Sequence, residues 1–167
     1  MTAERLRKVA LHYLGQRAAS RAQLRRVLLR RVDRSLQEHG GDRDEMVGWV
    51  DATLTWCERL GYLDDARYAK DKACSMRRRG ASSRKVRAKL AEKGIARELV
   101  DAALADAPGE LVGALRLLRR RRFGPWRRGE EDTRRVLAAL GRAGFAYDVA
   151  RRAMEMDRAE ADRLLSE

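Results

Sequence analysis

An internal repeat of helical segments constrains this chain more than any other feature. Apolar residues recur with helical spacing, such as i, i+3 and i+4, in nine segments, and all but the last stop near a glycine or a proline. A shift of 62 positions superimposes residues 17–20 on 79–82, and a shift of 50 superimposes 86–104 on 136–154. One three-helix unit of this size buries little apolar surface alone, so neighbouring units are expected to stack.

The repeat predicts an all-α fold of tandem three-helix repeats that form an elongated curved array. Charged residues make up 38% of the chain, which gives much polar surface for the core volume and favours an array over one round globule. The breaks in the pattern predict repeats over 1–63, 64–107 and 108–157, followed by a C-terminal tail over 158–167. In the first repeat, a longer link is expected between the second and third helices, over residues 32–43.

The starts of several helices can be predicted from polar residues. Ser20 is expected to cap one helix, and Ser82 or Ser83 its counterpart in the second repeat. Asp64 and Asp65 precede another helix, where a carboxylate would cap the backbone and favour the helix dipole. Neighbouring carboxylates could also form a catalytic pair, but no histidine, metal cluster or glycine-rich phosphate loop accompanies them, so no catalytic residue is expected.

The formal net charge of +13 predicts attraction to polyanions: nucleic acid, an acidic protein face or an anionic membrane. Arginine far outnumbers lysine, as in a GC-rich genome, so part of this charge is explained by codon usage on solvated faces. Lysine is rare elsewhere, however, and Lys85, Lys89 and Lys93 are spaced i, i+4, i+8 as one stripe.

These considerations predict a basic surface for a partner or for DNA on the second and third repeats. Basic residues around Phe123 and Trp126 could hold phosphates while the rings stack on bases. Solvated helix ends with aromatic rings covering a core are the alternative, and at most two of the three arginines at 77–79 can face one partner. The candidate residues are Arg77, Arg78, Arg79, Arg84, Lys85, Lys89, Lys93, Arg119, Arg120, Arg121, Arg122, Arg127 and Arg128.

Other classes of site find little support. Cys57 and Cys74 are too few for a disulfide framework, and His12 and His39 stand apart from any ligand cluster, so neither a metal nor another cofactor is expected. The chain shows no signal peptide and no apolar run long enough to span a membrane. A cytoplasmic location without membrane contact is therefore expected.

The second repeat carries the most distinctive motif. Its sequence GYLDDARYA over 61–69 resembles the GhhDDxRaA signature of the RecX family, where h is apolar and a is aromatic. The KGI at 93–95, the RFG at 122–124 and the GFAYDV at 144–149 are similar to later elements of that family. At 81–83, Ala-Ser-Ser replaces the glycine- and proline-rich turn that is often found there. The signature residues are Asp64, Asp65, Arg67, Tyr68, Gly94, Gly144 and Phe145.

The resemblance implies a function as well as a fold. RecX-like proteins are non-enzymatic tandem repeats that bind in the groove of the RecA–DNA filament. They inhibit its ATPase, strand-exchange and coprotease activities, and so modulate DNA repair, recombination and the SOS response. The partners implied are a RecA-type filament together with single- and double-stranded DNA, bound weakly and without sequence specificity, by a monomer.

One alternative stays open at this stage. A basic three-helix unit also resembles helix-turn-helix domains, so the chain could bind DNA without sequence specificity and without a protein partner. Its second helices offer mostly Arg, Lys and Ala, whereas base readout favours Asn, Gln, Arg or Ser together on one face.

Overall fold

The computed structural model describes residues 1–166, and over these residues the fold is all-α with no strand. Residues 1–166 form ten α-helices where the sequence predicts nine, because Arg158–Ser166 in the predicted tail forms a helix of its own. Glu167 lies outside the described residues. The helices are α1 Ala3–Gln16, α2 Arg21–His39, α3 Arg43–Arg59, α4 Asp65–Arg78, α5 Ser83–Glu92, α6 Arg97–Ala105, α7 Glu110–Arg121, α8 Thr133–Arg142, α9 Tyr147–Glu155 and α10 Arg158–Ser166, with a 3₁₀ turn at Gly124–Trp126.

The chain divides into two compact units, and the first comprises residues 1–68 and 92–96. In this unit α1 and α2 both pack on α3. The core consists of apolar side chains at helical spacing, including Leu6, Leu24, Leu28, Val50 and Leu54, none of which is exposed. These are the periodic residues of the sequence, so the first three helices fold as their apolar faces predict.

The prediction of a longer link over residues 32–43 is wrong for most of that range. Helix α2 continues to His39 and buries Val32 in the core, and only residues 40–42 connect it to α3. Gly40 ends the helix with a φ of +68°, a conformation that glycine adopts without a steric penalty.

The second unit comprises residues 69–91 and the chain from Arg97 onward. Its main core lies between α7, α8, α9 and α10 and contains Leu115, Leu118, Leu140 and Phe145. Trp126 in the 3₁₀ turn packs on the same core, and its Nε1 donates to Asp162 on α10 at 3.1 Å. Helix α10 is therefore fastened to the unit by both apolar and polar contacts.

Polar caps start the helices where the sequence predicts them. Ser20 forms a capping box with Gln23, each side chain accepting from the other residue's backbone N–H. Asp64 caps α4 by accepting from the backbone of Arg67 at 2.9 Å. Of the two serines considered for α5, Ser82 is the cap, because its Oγ accepts from the backbone of Lys85 at 3.2 Å.

The capping serines also join separate parts of the chain. The first junction lies in the first unit, where Ser20 Oγ donates to the carbonyl of Lys93 at 2.5 Å and the N–H of Arg21 donates to Asp65 Oδ1 at 2.8 Å. Asp65 is the first residue of α4, so the junction binds the start of α2 to the start of α4 and to the chain just after α5.

The second junction lies in the second unit and follows the same plan. Ser82 Oγ donates to the carbonyl of Ala143 at 2.7 Å, and the N–H of Ser83 donates to Glu110 Oε2 at 3.1 Å. The donors are 62 positions beyond those of the first junction, and Ala143 is 50 positions beyond Lys93. The offsets are those of the sequence repeat, so the repetition extends from core positions to specific hydrogen bonds. The three repeat boundaries and the curvature of the array remain predictions.

Candidate polyanion-binding site

Arg77 does not belong to the basic surface predicted for it. The residue is 1% exposed, and its Nε donates to the carbonyl of Pro108 at 2.8 Å. Its Nη1 donates to the carbonyl of Ala81 at 2.9 Å and lies 2.8 Å from Glu110 Oε2. A buried guanidinium is stable only when its charge and donors are paired in this way, so Arg77 is a structural residue of the second junction.

Two glycines bring the end of α4 close to the side of α7. Gly80 has a φ of +80°, and a Cβ there would lie 2.8 Å from the backbone nitrogen of Leu117. A Cβ on Gly113 would lie 3.0 Å from the carbonyl oxygen of Ala81. Only glycine allows this separation at both positions, and the basic ends of the two helices thereby become neighbours.

The neighbouring helix ends form a shallow groove of about 390 Å³, here called the arginine groove. Its wall is cationic, with one apolar residue of α10 at its edge. Arg116 Nη1 donates to the carbonyl of Arg78 at 3.4 Å, and Arg120 Nη1 donates to that of Arg79 at 3.0 Å. The lining residues are Arg78, Arg79, Arg116, Arg119, Arg120 and Leu165.

The positive charge of the arginine groove has no ionic compensation within residues 1–166. None of its five guanidinium groups has a carboxylate within 4 Å among those residues. Two of them cap carbonyls at the end of α4, where the helix dipole favours cations. The Nε of Arg116 is buried and has no hydrogen-bond partner in the described part of the chain. Guanidinium groups in this state are suited to phosphate and carboxylate oxygens.

Four predicted residues, Arg78, Arg79, Arg119 and Arg120, thus come together in the groove, whereas Arg116 was missed by the sequence prediction. Arg116 stands one helical turn before Arg120, and that spacing was the available indication.

Arg121, the last residue of α7, and the arginines that follow it lie outside the arginine groove. Arg122 adopts a left-handed conformation, with a φ of +57°, and ends the helix. Arg121, Arg122, Arg127 and Arg128 are all exposed. Trp126 is only 8% exposed and Phe123 is half-buried, so these rings cover the core and are not free to stack on bases. Of the two interpretations of this segment, the structure supports the second, in which the aromatic rings cover a core.

The lysine stripe is shorter than its spacing suggests. Helix α5 ends at Glu92, so Lys93 lies beyond the helix, where its carbonyl takes part in the first junction. The Nζ of Lys93 lies 3.8 Å from Glu92 Oε1. Arg84 and Lys85 are exposed and Lys89 is half-buried, so α5 still presents a smaller basic face.

The signature residues mostly hold the fold together. Asp64 caps α4, and Asp65 accepts from Arg21 across the first junction. Burial raises the pKa of the Asp65 carboxyl, against the opposing effect of the Arg21 N–H. Gly94 and Gly144 have positive φ and leave no room for a Cβ against α2 and Ser82, respectively. The remaining three differ in burial: Arg67 is exposed, Tyr68 half-buried and Phe145 5% exposed.

Residues 1–166 contain no group of three or more His, Cys, Asp or Glu side chains placed to hold a metal ion. Among the helices of the same residues, none combines the length and apolar character that crossing a membrane requires.

Comparison with known proteins agrees with the motif and the fold. Residues 64–104 match the family model described as RecX, second three-helix domain. The regulatory protein RecX of Myxococcus xanthus is 45% identical over 157 residues, which cover 90% of this chain and 84% of that protein. The regulatory protein RecX of Agrobacterium fabrum is 34% identical over 164 residues, 96% of this chain and 88% of that protein. The chain therefore belongs to the RecX family of regulatory proteins.

Proposed function

We propose that this protein regulates a RecA-type recombinase by binding in the groove of its filament on DNA. Bound there, it lowers the ATPase, strand-exchange and coprotease activities of the filament and so modulates DNA repair and recombination. The observation that carries the proposal is the arginine groove in a member of the RecX family: five guanidinium groups, held at two helix ends, without a carboxylate partner in residues 1–166.

The arginine groove suits a partner that contains DNA. Each phosphate that an arginine neutralises releases counterions, so binding to DNA should weaken as salt is added, by about 0.9 in log K per contact on duplex and about 0.7 on single strands for each unit of log salt. In the proposed complex the guanidinium groups contact phosphates and not base edges, so binding to DNA should be independent of its sequence. Acidic loops of a protein would satisfy the same groups.

The exposed face of α5 forms a second candidate surface, with Arg84, Lys85 and Lys89. Charges on such a face act mainly on the association rate and on salt sensitivity. Lys85→Glu combined with Lys89→Glu is expected to keep the fold and to weaken inhibition of the recombinase sharply.

The protein in this proposal works as a monomer in the cytoplasm, without a cofactor and without catalysis. Its effect comes from occupying a surface of the filament, which agrees with the names of its relatives as regulatory proteins.

The test is the DNA-dependent ATPase of the recombinase from the same organism, measured with and without this protein at physiological salt. Inhibition at protein concentrations too low to coat bare DNA supports the proposal. An unchanged ATPase, together with DNA binding at low salt, favours the alternative of a DNA-binding protein that needs no partner. A preference of about 10³-fold for one DNA sequence would favour helix-turn-helix readout instead.

A further inference from the structure

A cluster of aromatic and cationic side chains lies on the first unit and includes none of the candidate basic residues named above. The guanidinium of Arg7 on α1 lies over the ring of Trp56 on α3, 5.5 Å from its centroid. The ring of Tyr62, just after α3, lies 6.1 Å from that of Trp56 and is tilted by 47°. These three residues form what is here called the aromatic patch.

Two residues of the aromatic patch, Arg7 and Tyr62, are exposed, whereas Trp56 is half-buried and packs on the core. Tyr62 is 53% exposed, as is Leu60, which follows Trp56 by one helical turn. Leu11 follows Arg7 by one turn on α1 and is 39% exposed. Among the described residues, only Tyr147 is a further exposed large hydrophobic side chain, and it lies in the second unit. Exposed apolar side chains that concentrate in one place mark an interaction surface.

The charge around the aromatic patch is positive. Arg7, together with Arg59 and Arg67 close to Tyr62 in sequence, has no carboxylate within 4 Å in residues 1–166. The neighbouring acids are engaged elsewhere: Glu58 pairs with Arg21 at 2.8 Å, and Asp64 caps α4. The patch therefore favours an anionic ligand.

We propose that the aromatic patch binds single-stranded nucleic acid, with a base stacked on Tyr62 beside Trp56 and the adjoining phosphates near Arg7 and Arg59. Rings stack on any base, whereas the faces of bases in a duplex are covered by their neighbours, so the patch should prefer single strands. An acidic peptide is negatively charged like a nucleic acid, but a peptide anchors its apolar side chains in pockets. Tyr62 instead stands out from the surface. The inference extends the DNA contact of the proposed function from phosphates to bases, and it does not require a recombinase.

The experiment distinguishes the contribution of the bases to binding from that of the phosphates. Fluorescence anisotropy at low salt measures the affinity of the full chain for a labelled oligo-dT, for an abasic oligomer of the same length and for the matching duplex. The wild type should bind oligo-dT about five- to tenfold more tightly than the abasic oligomer, as one stacked base implies. In Tyr62→Leu that advantage should fall to below about twofold, with the abasic affinity unchanged. Tyr147→Leu is the matched control, because it removes another exposed tyrosine and should leave the advantage intact.

Three results would overturn the proposal. The first is equal affinity of the wild type for oligo-dT and the abasic oligomer. The second is the same loss of oligo-dT binding in Tyr62→Leu and Tyr147→Leu. The third is a Tyr62→Leu protein that binds every oligonucleotide normally but inhibits the recombinase less, since the patch would then be a surface for protein. Because the anisotropy assay contains no recombinase, failure of the proposed regulatory function would not alter its outcome.

Discussion

The two junctions use the same hydrogen bonds but place different groups opposite their carboxylates. At the second junction, the buried guanidinium of Arg77 pairs with Glu110 at 2.8 Å. At the first, Asp65 accepts from the N–H of Arg21 at 2.8 Å and has no ion pair within 4 Å in residues 1–166. The residue 62 positions before Arg77 is Gly15, which has no side chain to offer.

The second junction also divides the three arginines at 77–79, which lie at the end of α4. Arg77 points inward and completes the second junction, whereas Arg78 and Arg79 contribute to the arginine groove. One run of three arginines therefore supplies both a structural ion pair and two residues of the arginine groove. Substitutions at the two junctions can separate these roles.

We expect the largest effect on stability from Gly80→Ala. The added Cβ would meet the backbone of Leu117 at 2.8 Å, at a φ of +80° that side chains rarely adopt. Strain and overpacking together should lower the free energy of unfolding by about 2–5 kcal/mol in urea titrations. Gly15→Ala is the control: it has free space, lies within α1, and should be neutral or stabilising by up to about 1 kcal/mol. Similar losses in both variants would contradict the close approach of α4 and α7.

Glu110→Gln should have the next largest effect and lower the free energy of unfolding by about 2–4 kcal/mol. The change keeps an acceptor for the Ser83 N–H but leaves the buried charge of Arg77 without its counterion. The comparison variant Glu155→Gln breaks an exposed pair with Arg151 and should cost under about 0.5 kcal/mol. A loss at Glu110 as small as that at Glu155 would show that Arg77 does not depend on this pair.

The two capping serines should contribute equally to stability, although the carboxylates of the two junctions differ in their partners. Ser20→Ala and Ser82→Ala each remove one helix cap and one bond to a distant carbonyl. Each should therefore cost about 1–2 kcal/mol in the same unfolding experiment. If one serine proved neutral, the two junctions would not be equivalent.

Asp65→Asn should have the smallest effect, and it should depend on pH. Because burial raises the pKa of Asp65, ionising this carboxyl is less favourable in the folded chain than in the unfolded one. The wild type thus loses stability as pH rises through the folded pKa, and the variant does not. At pH 7 the variant should be as stable as the wild type or more stable, by less than about 1 kcal/mol, and the difference should vanish below about pH 3.9 in thermal melts. Destabilisation at neutral pH would show that the charge itself stabilises this junction.

The sequence predicted the helices and the serine caps well, because apolar spacing and capping depend on local neighbours. It also predicted the basic residues of the arginine groove other than Arg116. It assigned Arg77 to the surface, because the burial of this residue depends on Glu110 and on the carbonyl of Pro108, which are both about thirty positions away. It extended the lysine stripe to Lys93 because the spacing gives no sign that α5 stops at Glu92. The aromatic patch was missed because α1 and α3 bring Arg7 and Trp56 together only in the fold.

In the proposed function, the exposed arginines of the groove serve binding, whereas their buried neighbour Arg77 serves the fold. Arg78→Glu combined with Arg119→Glu tests this, because both residues line the groove and no partner is seen for either side chain in residues 1–166. Arg134→Glu with Arg135→Glu on the exposed start of α8 is the control of equal charge change. The measurement is inhibition of the DNA-dependent ATPase of the recombinase at physiological salt, after thermal melts have matched the two variants to the wild type. The groove variant should need at least about tenfold more protein for half-maximal inhibition, with the control close to the wild type; equal inhibition by both variants would contradict the account.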